Sequence, residues 1–183
     1  MRTLQTRLDG PILLEPNVFG DVRGFFTESF RVEEWAQHGI TDTWVQDNHS
    51  RSGRGVVRGM HVTVGAGQAK LVRCARGAIF DVVVDLRAGS PTFGEWEAHV
   101  LDDERMLQLY VPLGFAHGFC VLSEAADVLY KVSSPYDADL ERGFRYDDPD
   151  VGIAWPTGLD VQLSRRDVEA PRLREVEADL RFA

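Results

Sequence analysis

At 183 residues, 44% hydrophobic and 27% charged, the chain has the make-up of one globular domain large enough to bury a core. A formal charge of -9 argues against a general nucleic-acid binder, which would carry a basic stripe, and no apolar run is long enough to span a bilayer. The opening Met1-Arg2-Thr3-Leu4 lacks the apolar core of a signal peptide, and Cys74 and Cys120, both in strand-like runs, read as buried thiols of a reducing compartment, so the expected setting is cytoplasmic, away from membranes.

In chain order, Val32 to His38 is expected to form two helical turns closed by Gly39 at C′. Apolar, strand-forming sequence follows in Gly55 to His61 and Lys70 to Arg73. In Ala78 to Leu86, Phe80, Val82, Val84 and Leu86 share one strand face while Asp81 and Asp85 share the other. Met106 to Val111 alternates as well, with Leu107, Leu109 and Val111 on one side. Turn signals at Arg76-Gly77, Ala88-Gly89-Ser90-Pro91, Pro112-Leu113-Gly114 and Ser133-Ser134-Pro135 separate these runs. Leu173, Val176 and Leu180 give a terminal helix, over about residues 171–181, its apolar stripe. Short strands between such turns predict a mainly β sandwich or barrel with a few short helices, in one domain over 1–183.

The chemistry concentrates in two places. Arg58, His61 and Lys70 put a guanidinium, an imidazole and an ammonium into strand sequence, where buried charge is costly unless paired. An anionic ligand and a developing negative charge would give all three a use. An ideal strand puts Arg58 and His61 on opposite faces, because their spacing is odd. Both can serve one pocket only if Gly59 marks a bulge or the strand begins after it. The second place, Pro112-Leu113-Gly114-Phe115-Ala116-His117, has the Pro-x-Gly-x-x-His spacing of the second cupin motif. A metal cupin also needs a His-x-His pair; Thr63 stands two residues after His61, and no such pair exists among the five histidines. The ligand set for a first-row metal is therefore short, and metal-free chemistry is expected. Read alone, Tyr130 is an interior tyrosine, Asp167 a surface carboxylate or helix cap, and Arg23 with Glu28 a surface ion pair.

Taken together, the ordered stretches Asp21 to Glu28, Gln46 to Ser50, Gly55 to His61, Lys70 to Arg73, Asp81 to Arg87, Ser90 to Gly94, Pro112 to Phe119, Tyr130-Lys131, Ile153 to Pro156 and Leu163 to Asp167 resemble the dTDP-4-dehydrorhamnose 3,5-epimerases. They cover roughly residues 4 to 175. The resemblance implies a cupin-type jelly-roll β-barrel that works as a homodimer without metal or other cofactor, with an N-terminal strand near residues 2–16 exchanged between subunits. Its implied substrate is a dTDP-4-keto-6-deoxyhexose, inverted at C3 and C5 by proton abstraction next to the C4 ketone. By motif position, His61 would be the base, Asp167 its carboxylate partner, Tyr130 the proton donor on the opposite side and Lys70 the stabiliser of the enolate oxygen. Arg23 and Arg58 match diphosphate-contacting positions. Glu28, Gln46, Asp47 and Asn48 match the nucleotide-holding stretches, and His117, Glu141 and Arg166 match further substrate contacts. The chain departs from the family pattern at Val62-Thr63, where an aromatic and a glutamine are common, in the small loop Gly65 to Ala69, and at Arg166, where lysine is usual. Epimerisation at one carbon only is the alternative enzyme. A cupin that merely binds a nucleotide sugar has no need of a base and acid pair, and a metal-dependent cupin oxygenase lacks its second histidine.

Overall fold

The computed structural model describes residues 1–182. In chain order its strands are β1 (Arg2–Leu4), β2 (Ile12–Glu15), β3 (Val18–Asp21), β4 (Gly24–Thr27), β5 (Gln46–Gly53), β6 (Val57–Thr63), β7 (Lys70–Arg76), β8 (Ala78–Asp85), β9 (Trp96–Asp102), β10 (Gln108–Val111), β11 (Phe115–Val121), β12 (Ala125–Val132) and β13 (Glu141–Gly143). The helices are α1 (Val32–Ala36), α2 (Arg165–Val168) and α3 (Leu173–Val176). Two antiparallel sheets face each other, ordered β1-β2-β10-β7-β12-β5 and β13-β6-β11-β8-β9, while β3 and β4 form a separate hairpin. Pairs such as β2 with β10, β5 with β12 and β6 with β11 join distant parts of the chain, as a jelly roll requires.

The expected alternation sorts the strands into layers. Ile79 and Val83 of β8 point between the sheets, into a core that also holds Leu107, Leu109, Val111, Phe115 and Phe119. Phe80, Val82, Val84 and Leu86 point outward, where Phe144, Val151, Ile153, Leu173 and Leu180 of the C-terminal segment cover them. Burying both faces of β8 in this way binds the C-terminal segment to the five-stranded sheet. A third cluster, Leu14, Trp35, Ile40 and Leu71, seats α1 on the outer face of the six-stranded sheet. The helix covers Val32–Ala36 rather than the expected Val32 to His38, but the turn that follows it closes at Gly39, φ +88°, with Ile40 N–H donating back to Trp35 O, as the sequence predicts. The terminal helix is shorter than expected: α3 has four residues and passes into a 3-10 turn over Glu177–Asp179. Its stripe nevertheless holds, since Leu173 and Leu180 are buried and Val176 packs beside them.

The odd spacing of Arg58 and His61 is resolved by a bulge. His117 of β11 pairs with His61, whereas Phe119 pairs with Arg58, so the register shifts by one residue along β6. Gly59, inside the shifted stretch, has φ +125°, a conformation open to glycine at little cost. A Cβ there would stand 2.6 Å from Gly118 Cα and 2.9 Å from His117 O. Gly59→Ala is therefore expected to lower stability by roughly 1–3 kcal/mol, the range for a residue forced into such backbone, read as a reduced urea midpoint. An unchanged midpoint would mean that the bulge does not depend on glycine.

Candidate active site

The bulge puts Arg58 and His61 on one side of β6, where both line a cavity of about 760 Å³ between the two sheets, within the usual range for small-molecule sites. The five-stranded sheet contributes His61 and, directly opposite it on β11, His117. The six-stranded sheet contributes Lys70 from β7, Tyr130 from β12, and Gln46, Asn48 and Ser50 from β5. Tyr130 sits in register between Val72 and Asn48. The imidazoles and the phenol thus belong to opposed walls. Glu141 of β13 and Ser164, Arg166 and Asp167 of the C-terminal segment line the cavity too.

Asp167 is neither of the things its local sequence suggests. It is 5% exposed, and its Oδ1 lies 2.6 Å from His61 Nε2. Ser164, the N-cap residue of α2, donates from Oγ to Asp167 Oδ2 at 2.9 Å and accepts from the Asp167 N–H at 3.2 Å. Both carboxylate oxygens are therefore engaged, one by each neighbour. Burial alone would raise the Asp167 pKa, but the hydrogen bond and charge of His61, the Ser164 hydroxyl and the Arg166 charge together hold it below its ordinary value. Because an ionised carboxylate only accepts, His61 Nε2 carries the proton and Nδ1 is left as the basic nitrogen.

The opposite wall is tuned by burial. Removal from water lowers the Lys70 pKa, against the nearby charges of Glu141 and Asp81. The Tyr130 phenol is pushed up by burial and by Glu141, with Arg58 opposing. It stays protonated at neutral pH and is a competent proton donor. Arg58 donates from Nε and Nη2 to the Ser52 hydroxyl, at 3.1 and 3.0 Å, and Arg166 donates to Glu141 at 2.7 Å. Gln46 and Asn48 are joined by a 2.8 Å hydrogen bond. Among the described residues, no group of three or more His, Cys, Asp or Glu side chains is placed to hold a metal ion.

Ten of the thirteen residues expected at the site meet here: His61, Tyr130, Asp167, Lys70, Gln46, Asn48, Arg58, His117, Glu141 and Arg166. Three do not. Asp47 falls on the other face of β5, where Lys131 donates to it at 2.9 Å; the period of two that points Gln46 and Asn48 inward necessarily turns Asp47 out. Arg23 pairs with Asp21 in the β3–β4 turn, and Glu28 accepts from Arg31; that hairpin lies outside both sheets. Sequence reading also passes over Gln68, Ser164 and Tyr136, all of which line the cavity. Tyr136 follows the Ser-Ser-Pro turn and is 60% exposed, so no periodicity marks it. The Ser164-x-x-Asp167 spacing is a capping pattern that, in principle, announces itself.

Comparison with known proteins adds an independent line. The family model described as dTDP-4-dehydrorhamnose 3,5-epimerase matches residues 5–175. A relative of that description from Pseudomonas aeruginosa PAO1 is 47% identical over 170 residues, covering 91% of this chain and 93% of the relative. Another, from Neisseria gonorrhoeae, is 45% identical over 184 residues and covers all of this chain; the chain spans only 56% of that relative's length. Among solved structures, the dTDP-6-deoxy-D-glucose-3,5-epimerase of Legionella pneumophila Philadelphia 1, in complex with dTDP-4-keto-L-rhamnose, is similar with a TM-score of 0.95. The two are 45% identical, over 100% of this chain and 98% of that one.

The Ser164 hydroxyl gives a test of these electrostatics. A carboxylate whose folded pKa is depressed contributes stability that is complete above its unfolded value, about pH 4, and that is lost as pH falls through the folded value. Ser164→Ala removes one of the lowering contacts on Asp167. Urea midpoints between pH 2 and 6 should show a gap from the parent that is small at the acid end, where only the cap of about 1 kcal/mol is missing, and wider above pH 4. A gap of constant size would reduce the hydroxyl to a helix cap.

Proposed function

This chain belongs to the dTDP-4-dehydrorhamnose 3,5-epimerase family, and from that premise we propose that it inverts C3 and C5 of dTDP-4-dehydro-6-deoxy-D-glucose to give dTDP-4-dehydro-L-rhamnose, with no cofactor. The observation that carries this reading is the opposition of a carboxylate-supported imidazole and a protonated phenol across one cavity. Removing a proton from carbon next to a ketone needs a base near neutral pKa, and histidine, at about 6.5 unperturbed, suits it. His61 takes the proton at Nδ1, the C–H electrons form the enolate double bond, and the carbonyl pair moves onto the C4 oxygen. Lys70 stabilises that oxyanion; a preorganised donor at such a position is worth roughly 3–4 kcal/mol. Tyr130 then delivers its proton to the same carbon from the opposite wall, which inverts it. Exchange with solvent restores His61 and Tyr130 for the second carbon. Asp167 orients the imidazole and stabilises its cation.

The remaining cavity residues suit the nucleotide end. The planar fork of Arg58 binds two pyrophosphate oxygens at once, Gln46 and Asn48 offer amides to the nucleotide, and the Tyr136 ring provides an apolar plate at the mouth. Glu141 and Arg166, hydrogen-bonded to each other, border the sugar, and His117 contacts it. The reading includes a homodimer; in the single chain the N-terminal strands expected to be exchanged, β1 and β2, pair with each other and with β10, and the β3–β4 hairpin is the element that would serve the cavity of a second copy. Phe19, Phe25 and Phe26 are each more than 60% exposed on that hairpin, an apolar group that isolated chains seldom leave in water. Arg23 and Glu28 would then reach a nucleotide across the subunit boundary. Among the described residues no helix is long and apolar enough to cross a membrane; the cytoplasm remains the setting the reading assumes.

Incubation with the 4-keto sugar nucleotide in D2O should place deuterium at both C3 and C5, observed by NMR of the recovered sugar. Label at one carbon would show a single-position epimerase, and label at neither would leave a binding protein. His61→Ala should cut exchange about 10²–10⁴-fold while nucleotide affinity, measured by calorimetry with dTDP, stays within a few-fold, since the base acts in the transition state. Loss of folding along with affinity would make His61 a structural residue. Activity should also survive dialysis against a strong chelator, and a strict metal requirement would overturn the roles given to His61 and His117.

A further inference from the structure

One fully buried carboxylate has no part in the chemistry above. Asp81 of β8 is 0% exposed and shares its inward strand face with Ile79 and Val83 of the apolar core. Its two oxygens lie 2.9 and 3.0 Å from Nε2 of His117, and among the described residues no other side chain hydrogen-bonds to it. A carboxylate in apolar surroundings is costly unless it is paired, and an aliphatic residue would pack there more simply. His117 is itself 8% exposed, lines the cavity and is the cross-strand partner of His61. Since the carboxylate can only accept, Nε2 must carry the proton, which leaves Nδ1 as the free nitrogen of the ring. No protein group among the described residues hydrogen-bonds to that Nδ1.

We propose that Asp81 is a positioning residue: it fixes the ring and the tautomer of His117 so that Nδ1 faces the cavity as an acceptor for a hydroxyl of the bound sugar. The identity of the ligand rests on the epimerase reading, whereas the tautomer does not. The two imidazoles then divide the work. His61, whose aspartate is shared with Ser164, is placed to move a proton, and His117, tied to a carboxylate sealed in the core, holds the ring hydroxyl while the neighbouring carbon reacts. Carboxylate partners that orient metal-ligating histidines matter by about 10–100-fold, and an effect at the lower end of that range is expected for a histidine that orients a hydroxyl.

Nitrogen-15 NMR of histidine-labelled protein without substrate, with His117 assigned from the His117→Ala spectrum, should show Nε2 protonated and Nδ1 bare. A protonated Nδ1 beside a bare Nε2 would overturn the proposal, even in a protein that passes the D2O test, so the two readings fail separately. Asp81→Asn should raise KM for the keto sugar nucleotide about tenfold with a smaller change in kcat, and the double variant Asp81→Asn/His117→Ala should be no worse than His117→Ala alone. An unchanged KM, or losses that simply multiply in the double variant, would make Asp81 a packing feature. Should Asp81→Asn fail to fold, the spectrum of the unaltered protein decides.

Discussion

A 2.6 Å hydrogen bond between His61 and Asp167, 106 positions apart in the chain, is the interaction on which the proposed chemistry depends. Neither residue is placed by its own neighbourhood. His61 faces the cavity because β6 gains a residue at Gly59, which swings the strand's later side chains into line with Arg58. Asp167 reaches it because the C-terminal segment is bound across the outer face of the five-stranded sheet by Phe144, Val151, Ile153, Leu173 and Leu180. The apolar layer behind the sheet and the polar pair in front of it are therefore one device. An outer layer buried this thoroughly determines where α2 lies, and the Ser164 hydroxyl occupies the oxygen of Asp167 that the imidazole leaves free. A four-residue helix would not persist alone in water; here its one buried residue, Asp167, ties it to β6 through His61, and the Ser164 cap holds its first turn.

The site also shows how an acidic protein can offer a cationic pocket. The formal charge of -9 is spread over the surface, where water and salt screen it. Arg58, Lys70 and Arg166 are gathered at one cavity, where three cations act together on one ligand at short range. Burial weakens the Lys70 ammonium and protects the Tyr130 proton, so one physical cause prepares two groups for different tasks. Glu141 acts in the opposite sense on the lysine, and its bond to Arg166 keeps that carboxylate from standing alone among the cations. An anionic ligand with a developing oxyanion fits this balance better than a neutral one, because it supplies the negative charge that the buried ammonium lacks.

How much of this was legible in advance follows the range of the forces involved. Alternation along Phe80 to Leu86 and along Leu107 to Val111 is a local property, and both faces came out as read. So did the Gly39 helix stop, which needs only a positive φ. The bulge at Gly59 was legible as a requirement, since two residues at odd spacing cannot otherwise share a pocket, but sequence alone could not say that the strand would run on through the glycine. The terminal helix is shorter than its stripe predicts, because an apolar stripe is satisfied equally by a short α-helix and a 3-10 turn once the core beneath it is fixed. Tyr136 carried no signal, because an exposed aromatic after a turn has no periodicity to betray it.

The three expected site residues that lie elsewhere separate two kinds of limit. The placement of Asp47 follows from parity, since any strand that turns Gln46 and Asn48 inward must turn the residue between them out. The placement of Arg23 and Glu28 does not. They occur in the order and spacing that accompany the cavity residues, yet they sit on a hairpin that neither sheet claims, with phenylalanines facing water. Motif order records that residues act together; it is silent on which molecule of a pair contributes them. An exposed apolar hairpin bearing a guanidinium and a carboxylate, on a chain whose cavity already holds the imidazole, phenol and ammonium proposed as base, acid and oxyanion donor, is a surface that the proposed second copy would cover.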